Sequence, residues 1–90
     1  MSAPVAAARQ LLEFLARALV SEPDRVEVKE RSGPDGEVVF RLAVAERDVG
    51  KVIGRAGCTI RAVRKVVSAA ARAQASGSHQ RVRVEVETGP

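Results

Sequence analysis

Apolar residues recur along this chain with two different periods, and each period predicts one type of secondary structure. Near the N-terminus they follow one another at steps of three and four, at Val5, Ala8, Leu12, Leu15 and Leu19. This spacing places them on one face of a helix. Ser2 is positioned to cap that helix, and Pro4 suits its first turn.

The apolar face of this first helix is wider than a small sheet has to cover. Leu11, Phe14 and Ala18 extend the stripe on its flank. One interpretation is that the whole stripe belongs to the core. The other is that its edge pairs with a second subunit or a related partner.

Three later segments alternate between apolar and polar residues, which is the pattern of strands with one buried face. They cover residues 25–31, 37–45 and 80–88. The predicted inward positions are Val26, Val28, Val38, Phe40, Leu42, Val44, Val82, Val84 and Val86. The intervening Ser-Gly-Pro-Asp-Gly at 32–36 is a turn sequence, so the first two strands are predicted to form a hairpin.

Two predicted helices flank a pair of glycines between the second and third strands. The first runs from Glu46 to Ile53 and the second from about Thr59 to Gln74. Gly54 can end the first helix in a conformation that would strain a side chain. Gly57 opens the second helix and leaves its first backbone N–H groups uncovered, which favours phosphate binding there. Arg55 adds a cation at the tip of the turn.

The predicted element order is helix, strand, strand, helix, glycine turn, helix, strand. Each strand has one apolar face, so three helices can cover one side of a three-stranded sheet. This is an α/β protein of the two-layer α+β kind. Ninety residues allow one small domain with a modest core, and residues 88–90 are expected to form a loose tail.

Positive charge is concentrated around the glycine turn. Residues 46–75 contain seven basic and two acidic residues, a net charge of +5, whereas the whole chain carries +4. Such a distribution is expected of a protein that binds a polyanion. A solvated helix face is the equally simple alternative for the charges alone.

Composition narrows the possible functions. The chain has no Trp or Tyr and only two Phe, which argues against a protein that stacks bases on sheet aromatics. A lone cysteine, Cys58, excludes an internal disulfide and favours a reducing cytoplasm. Charged residues interrupt the apolar N-terminus, so no signal peptide or membrane span is predicted. No catalytic set, metal site or cofactor loop is recognisable, and His79 is expected to be solvated.

The glycine turn carries a resemblance to a known family. The stretch from Val52 to Ile60, Val-Ile-Gly-Arg-Ala-Gly-Cys-Thr-Ile, resembles the G-x-x-G loop of a KH domain, which clamps about four single-stranded nucleotides. The run from Asp48 to Gly57, followed by Ile-Arg-Ala-Val-Arg at 60–64, is similar to the small bacterial KH proteins of the KhpA (YlqC) type. The element order matches the type II KH arrangement, which places the variable loop at about 74–79.

This resemblance implies that the chain binds single-stranded RNA without catalysis. The loop residues expected to face phosphate are Gly54, Arg55, Ala56 and Gly57. The residues expected to form an apolar floor for bases, with plain core as the alternative for each, are Val52, Ile53 and Ile60. The residues expected to supply surrounding positive charge are Lys51, Arg61, Arg64 and Lys65, and contacts of this kind carry affinity but little sequence information.

Three positions depart from the family pattern. Ala45 stands where proline is common, Cys58 stands where a basic or polar residue is usual, and Ala56 offers no charge in the loop. These changes leave the backbone clamp in place but remove phosphate contacts. Modest affinity is therefore expected from one copy, and a dimer could compensate by multivalency.

The family further implies an RNA chaperone or post-transcriptional regulator. Its members occur as homodimers or paired with a larger KH-containing protein of the KhpB (Jag) type, and are linked to cell-shape and cell-wall control. Two alternatives stay open at the sequence level: a KH-fold protein-interaction module with little RNA affinity, and binding of single-stranded DNA rather than RNA. No membrane or small-molecule substrate is expected.

Overall fold

The first helix, α1, spans Ala3–Leu19, as the apolar spacing predicts. The computed structural model describes residues 2–75 and 80–88. The Ser2 hydroxyl caps α1 by accepting a hydrogen bond from the Val5 backbone N–H at 3.3 Å. The residues of α1 that become buried are Val5, Ala8, Leu12 and Ala16. One side of α1 therefore belongs to the core, and its flank does not.

Three strands form one mixed sheet in the order β1-β2-β3. They span Glu27–Ser32, Val38–Ala43 and Val82–Val86, so each is shorter than its alternating segment. The hairpin is confirmed, because β1 pairs with β2 antiparallel, from Glu27 opposite Ala43 to Ser32 opposite Val38. The central strand β2 pairs with β3 in parallel. A crossover through helices therefore joins β2 to β3.

The two-layer architecture predicted from the sequence is confirmed. Two more helices, α2 at Val49–Ile53 and α3 at Cys58–Gln74, complete the layer that α1 begins. All six elements contribute to one apolar cluster, in which Leu12, Phe40 and Val67 are completely buried. The side chains of β1, β2 and β3 that join it come from the predicted inward face.

Val39 is an exception to the alternating pattern. The sequence places it on the outer face of the sheet, yet it is completely buried. It lies between Arg31 and Arg83 in the strand register, and a Cβ on Gly33 would lie 3.3 Å from its Cγ2. Neighbouring long side chains and a close backbone segment cover Val39, which a period-two pattern does not anticipate.

Arginines of α1 and α3 donate hydrogen bonds to backbone carbonyls on the two edge strands. Arg9 of α1 donates to the Val28 carbonyl at 2.6 Å and pairs with Glu30 at 2.6 Å. Arg64 of α3 donates through Nε to the Val84 carbonyl at 3.1 Å. Each contact fixes a helix against the sheet and occupies an acceptor that another strand could otherwise use.

The start of the predicted helix from Glu46 to Ile53 differs from the prediction. Residues Glu46–Asp48 form a 3₁₀ turn, and α2 begins only at Val49. Asp48 is completely buried and does not cap the helix. Its carboxylate instead accepts hydrogen bonds from the Ser21 backbone N–H at 3.1 Å, the Ser21 hydroxyl at 2.8 Å and the Glu22 backbone N–H at 3.2 Å. Asp48 thus ties the end of α1 to the start of α2.

This tie predicts an acid-dependent stability. Burial raises the pKa of Asp48, but the hydrogen bonds from Ser21, Lys51 and Glu22 outweigh it and lower the pKa from 3.8 to about 2. Because the pKa of Asp48 is lower in the folded state, the ionised carboxylate stabilises the fold. This stabilisation is complete above pH 3.8 and is lost as the pH falls through about 2.

Thermal unfolding of the wild type and Asp48→Asn between neutral pH and pH 2 tests this expectation. Near neutral pH the variant should melt roughly 5–10 °C lower, since the amide cannot replace the charged acceptor. The gap should narrow towards pH 2 as the wild type protonates. A gap that stays constant with pH would assign the effect to packing rather than to the charge.

Candidate functional site

The glycine turn joins α2 to α3 with three residues at positive φ. Gly54 has φ +75° and ψ 172°, Ala56 has φ +53° and ψ 26°, and Gly57 has φ +75° and ψ 15°. A Cβ on Gly54 would lie 2.9 Å from the Thr59 backbone nitrogen and 2.7 Å from its Cβ. Gly54 is therefore required both by backbone conformation and by the close approach of α3.

Ala56 is in a left-handed conformation that is uncommon for a residue with a side chain. Its carbonyl oxygen accepts a hydrogen bond from Arg61 Nη1 at 2.6 Å. The same nitrogen would lie 3.1 Å from a Cβ on Gly57. The sequence interpretation gave Arg61 only a role in surrounding charge, whereas the structure shows that it also braces the turn.

The tip of the turn exposes a cation beside an open helix terminus. Gly57 is the N-terminal cap residue of α3, and among the described residues no side chain makes a capping hydrogen bond there. Arg55 is exposed, and within the described part of the chain no ion pair or side-chain hydrogen bond engages it. The positive end of the 17-residue α3 and the Arg55 guanidinium therefore act on the same region of solvent.

Three further cations predicted for the site differ in how firmly they are held. Lys51 lies 3.3 Å from the buried Asp48 carboxylate. Arg64 donates a hydrogen bond through Nε to the Val84 carbonyl, so its Nη groups are the part of the guanidinium that can contact a ligand. Lys65 is exposed and has no ion pair within residues 2–75 and 80–88. All three lie on α2 or α3, the two helices that the turn joins.

The apolar residues predicted for the floor are buried to different degrees. Val52 is 1% exposed and Ile60 is 6% exposed, so the structure places both in the core beneath the turn. Ile53 is only partly buried and packs against that core. Of the three, Ile53 alone offers appreciable apolar surface next to the turn.

Asp48 is the residue of this region whose role sequence reasoning missed. An acid early in a predicted helix is also what complements the helix dipole, so its position does not indicate burial. The sequence signal for the contact between Asp48 and Ser21 is weak. Asp48 lies near the start of one predicted helix, and Ser21 lies just after the end of another. Only the fold brings them together. His79 and most of the predicted variable loop lie outside the described residues.

Among residues 2–75 and 80–88, no cluster of three or more His, Cys, Asp or Glu residues could hold a metal ion. In the same part of the chain, no helix has the length and apolar character needed to cross a membrane.

Comparison with known proteins gives a consistent result. The family model described as "KhpA/KhpB, KH domain" matches residues 9–86, which includes β1–β3, α2, α3 and the turn. Two curated proteins named "RNA-binding protein KhpA" are similar over about 70% of the chain. The protein from Clostridium acetobutylicum is 46% identical over 63 residues, which cover 70% of this chain and 83% of the relative. The protein from Treponema pallidum is 45% identical over 64 residues, or 71% and 79% of the two chains.

A third relative matches over a longer stretch. "RNA-binding protein KhpA" from Chlamydia pneumoniae is 34% identical over 79 residues, which cover 88% of this chain and 92% of the relative. The similarity thus extends across most of both chains rather than over the glycine turn alone.

Proposed function

This chain belongs to the KhpA/KhpB KH-domain family, and from that membership we propose that it binds single-stranded RNA without catalysis. The observation that carries the proposal is the turn at 54–57. There an exposed Arg55 stands beside a helix terminus that no side chain caps. KH domains use a G-x-x-G loop to clamp about four nucleotides by their backbone.

In the proposed complex the turn acts as the phosphate clamp. Gly54 lets the start of α3 pack close to the turn, and Gly57 has no side chain over the open helix terminus, so a phosphate can approach the backbone there closely. The amides at the start of α3 and the Arg55 guanidinium supply hydrogen bonds and positive charge to it. Arg61 supports this arrangement from behind by holding the Ala56 carbonyl.

The surrounding residues divide between charge and apolar contact. Lys51, Arg64 and Lys65 raise the positive potential near the turn and make binding sensitive to salt, by a slope of about −0.7 per neutralised phosphate. Ile53 offers apolar surface to a base. Val52 and Ile60 support it from the core, because their side chains are buried.

Fluorescence anisotropy with a labelled, mixed-sequence single-stranded RNA tests the proposal. Binding should be saturable and should weaken from low to moderate salt. A DNA strand of matched sequence, measured in parallel, decides between the two nucleic acids. Absence of binding to either strand at low salt would remove autonomous RNA binding from the proposal.

A specific observation supports a second activity, association with another protein subunit. An apolar groove of about 220 Å³ runs between α1 and α3. Its lining residues are Leu15, Ala18, Leu19, Thr59, Ala62, Val63 and Val66. Phe14, at 68% exposure, and Val66, at 47%, are large apolar side chains left in solvent. Such a patch is typical of an interaction surface, and a second copy of this chain is the occupant that we propose.

Replacing Phe14 and Val66 with serine is expected to weaken self-association at least about tenfold, because both side chains lose apolar area at the contact. Sedimentation equilibrium of wild type and variant measures this. Lys29→Ser, at an exposed position of β1 on the sheet, is the control. A wild type that stays monomeric throughout would exclude the second copy and leave a different KH-containing protein as the occupant.

The remaining parts of the proposal come from family resemblance. They are an RNA chaperone or post-transcriptional role in the cytoplasm, and pairing with a larger KH-containing protein of the KhpB (Jag) type. A link to cell-shape and cell-wall control has the same basis. Strand-annealing assays with and without the protein would distinguish chaperone activity from simple binding.

A further inference from the structure

The cations of α3 all lie on one flank of the helix. Arg61, Lys65, Ser68 and Arg72 follow one another at steps of four, three and four, so their side chains form a continuous row. Arg64 lies three residues after Arg61 and four before Ser68, which places it on the same flank. The opposite flank, which faces α1, carries no charged residue. The row begins at the glycine turn and leads away from it.

The edge of β3 forms a second wall along this row. The bond from Arg64 to the Val84 carbonyl holds α3 against that edge. Beyond it lies a groove of about 330 Å³. The lining residues of this groove are Glu37, Ser68, Arg72, Gln80, Arg81, Val82 and Arg83. Ser68 and Arg72 of the row are among these lining residues, so the groove borders the C-terminal part of the row.

The charged groups along this path are not equally available. Arg83 lies 3.9 Å from Glu37 and 3.3 Å from Glu85, and Arg81 lies 3.9 Å from Asp35. By contrast, Lys65 and Arg72 are exposed, and no ion pair engages either of them within residues 2–75 and 80–88. Unpaired cations in a row are suited to consecutive phosphates of one strand.

We propose that the bound RNA continues past the glycine turn along this row, with Lys65 and Arg72 contacting its phosphates. The inference rests on the proposed function and extends its binding site. From Lys65 to Arg72, the helix rise of about 1.5 Å per residue gives roughly 10 Å. At about 3.4 Å per stacked nucleotide this accommodates about three nucleotides, in addition to the roughly four held at the turn.

Binding of two oligouridylates, of about four and about ten nucleotides, tests this extension. The short RNA fills only the clamp at the turn, whereas the long RNA can also reach Lys65 and Arg72. Anisotropy is measured for the wild type, Arg72→Gln and Arg17→Gln at low and moderate salt. Arg17 is an exposed arginine of α1 and serves as the matched control. Arg72→Gln should weaken binding of the long RNA roughly fivefold and reduce its salt slope by about 0.7, with no change for the short RNA.

The other outcomes overturn the extension. The extension is wrong if Arg72→Gln behaves like Arg17→Gln with both RNAs. It is also wrong if Arg72→Gln loses the same affinity for both lengths, or if wild-type affinity does not rise with length. In each of these cases the short RNA still binds and the clamp at the turn stands. If the wild type binds neither RNA, the proposed function fails as well. Should Arg72→Gln not fold, Lys65→Gln is expected to weaken binding of the long RNA more than binding of the short one.

Discussion

Replacing Arg55 and Ala56 together with aspartate is expected to reduce the affinity for single-stranded RNA at least about tenfold. The double substitution puts two carboxylates where the G-x-x-G turn would face a phosphate, and like charges repel. It also removes the exposed Arg55 cation. Gly54 and Gly57 are left unchanged, so the turn keeps its two glycines. Fluorescence anisotropy at low and moderate salt measures the loss, and circular dichroism establishes that both proteins are folded.

A matched control separates local from general electrostatics. Gln10→Asp with Arg17→Asp changes the net charge by the same amount at two exposed positions of α1. This control should keep most of the RNA affinity, because neither position belongs to the turn or to the cations of α3. Equal losses in the two double variants would show that overall charge, rather than the turn, governs binding. Unchanged affinity in the Arg55 variant would move the contact to the row along α3.

Alanine substitutions at Gly50 and Gly54 are expected to have opposite effects on stability. Gly50 lies in α2, and a Cβ there would meet nothing within 4 Å. Gly50→Ala should therefore stabilise the protein by about 0.5–1 kcal/mol through a lower entropy of the unfolded chain. Gly54→Ala should destabilise it by roughly 2–4 kcal/mol, from backbone strain and from displacement of Thr59, whose backbone nitrogen would lie 2.9 Å from the new Cβ.

Urea denaturation of both variants measures this difference in the free energy of unfolding. The two sites are four residues apart and receive the same side chain, so each is the control for the other. RNA binding by Gly54→Ala should fall with the distortion of the turn. A stable Gly54→Ala protein with normal RNA affinity would mean that the backbone at this position relaxes without affecting the clamp.

Much of this protein was determined by local sequence pattern alone. The step-three and step-four spacing from Val5 to Leu19 located α1, and period-two alternation located all three strands. The Ser-Gly-Pro-Asp-Gly turn fixed the hairpin of β1 and β2. Gly54 and Gly57 marked the turn, because few other residues adopt positive φ without cost. These signals are readable because each depends on residues close together in the chain.

Contacts between distant residues were decided only by the tertiary structure. The burial of Asp48 against Ser21 and of Val39 between Arg31 and Arg83 depends on side chains that are far apart in sequence. An apolar residue suits either the floor of a base-binding groove or the core. The packing of α2 and α3 places Val52 and Ile60 in the core. Similarly, charge composition indicated a basic region, but only the fold showed that Arg61 braces the turn and Arg64 holds the edge of β3. A charge can be counted from sequence, whereas its partner depends on three-dimensional position.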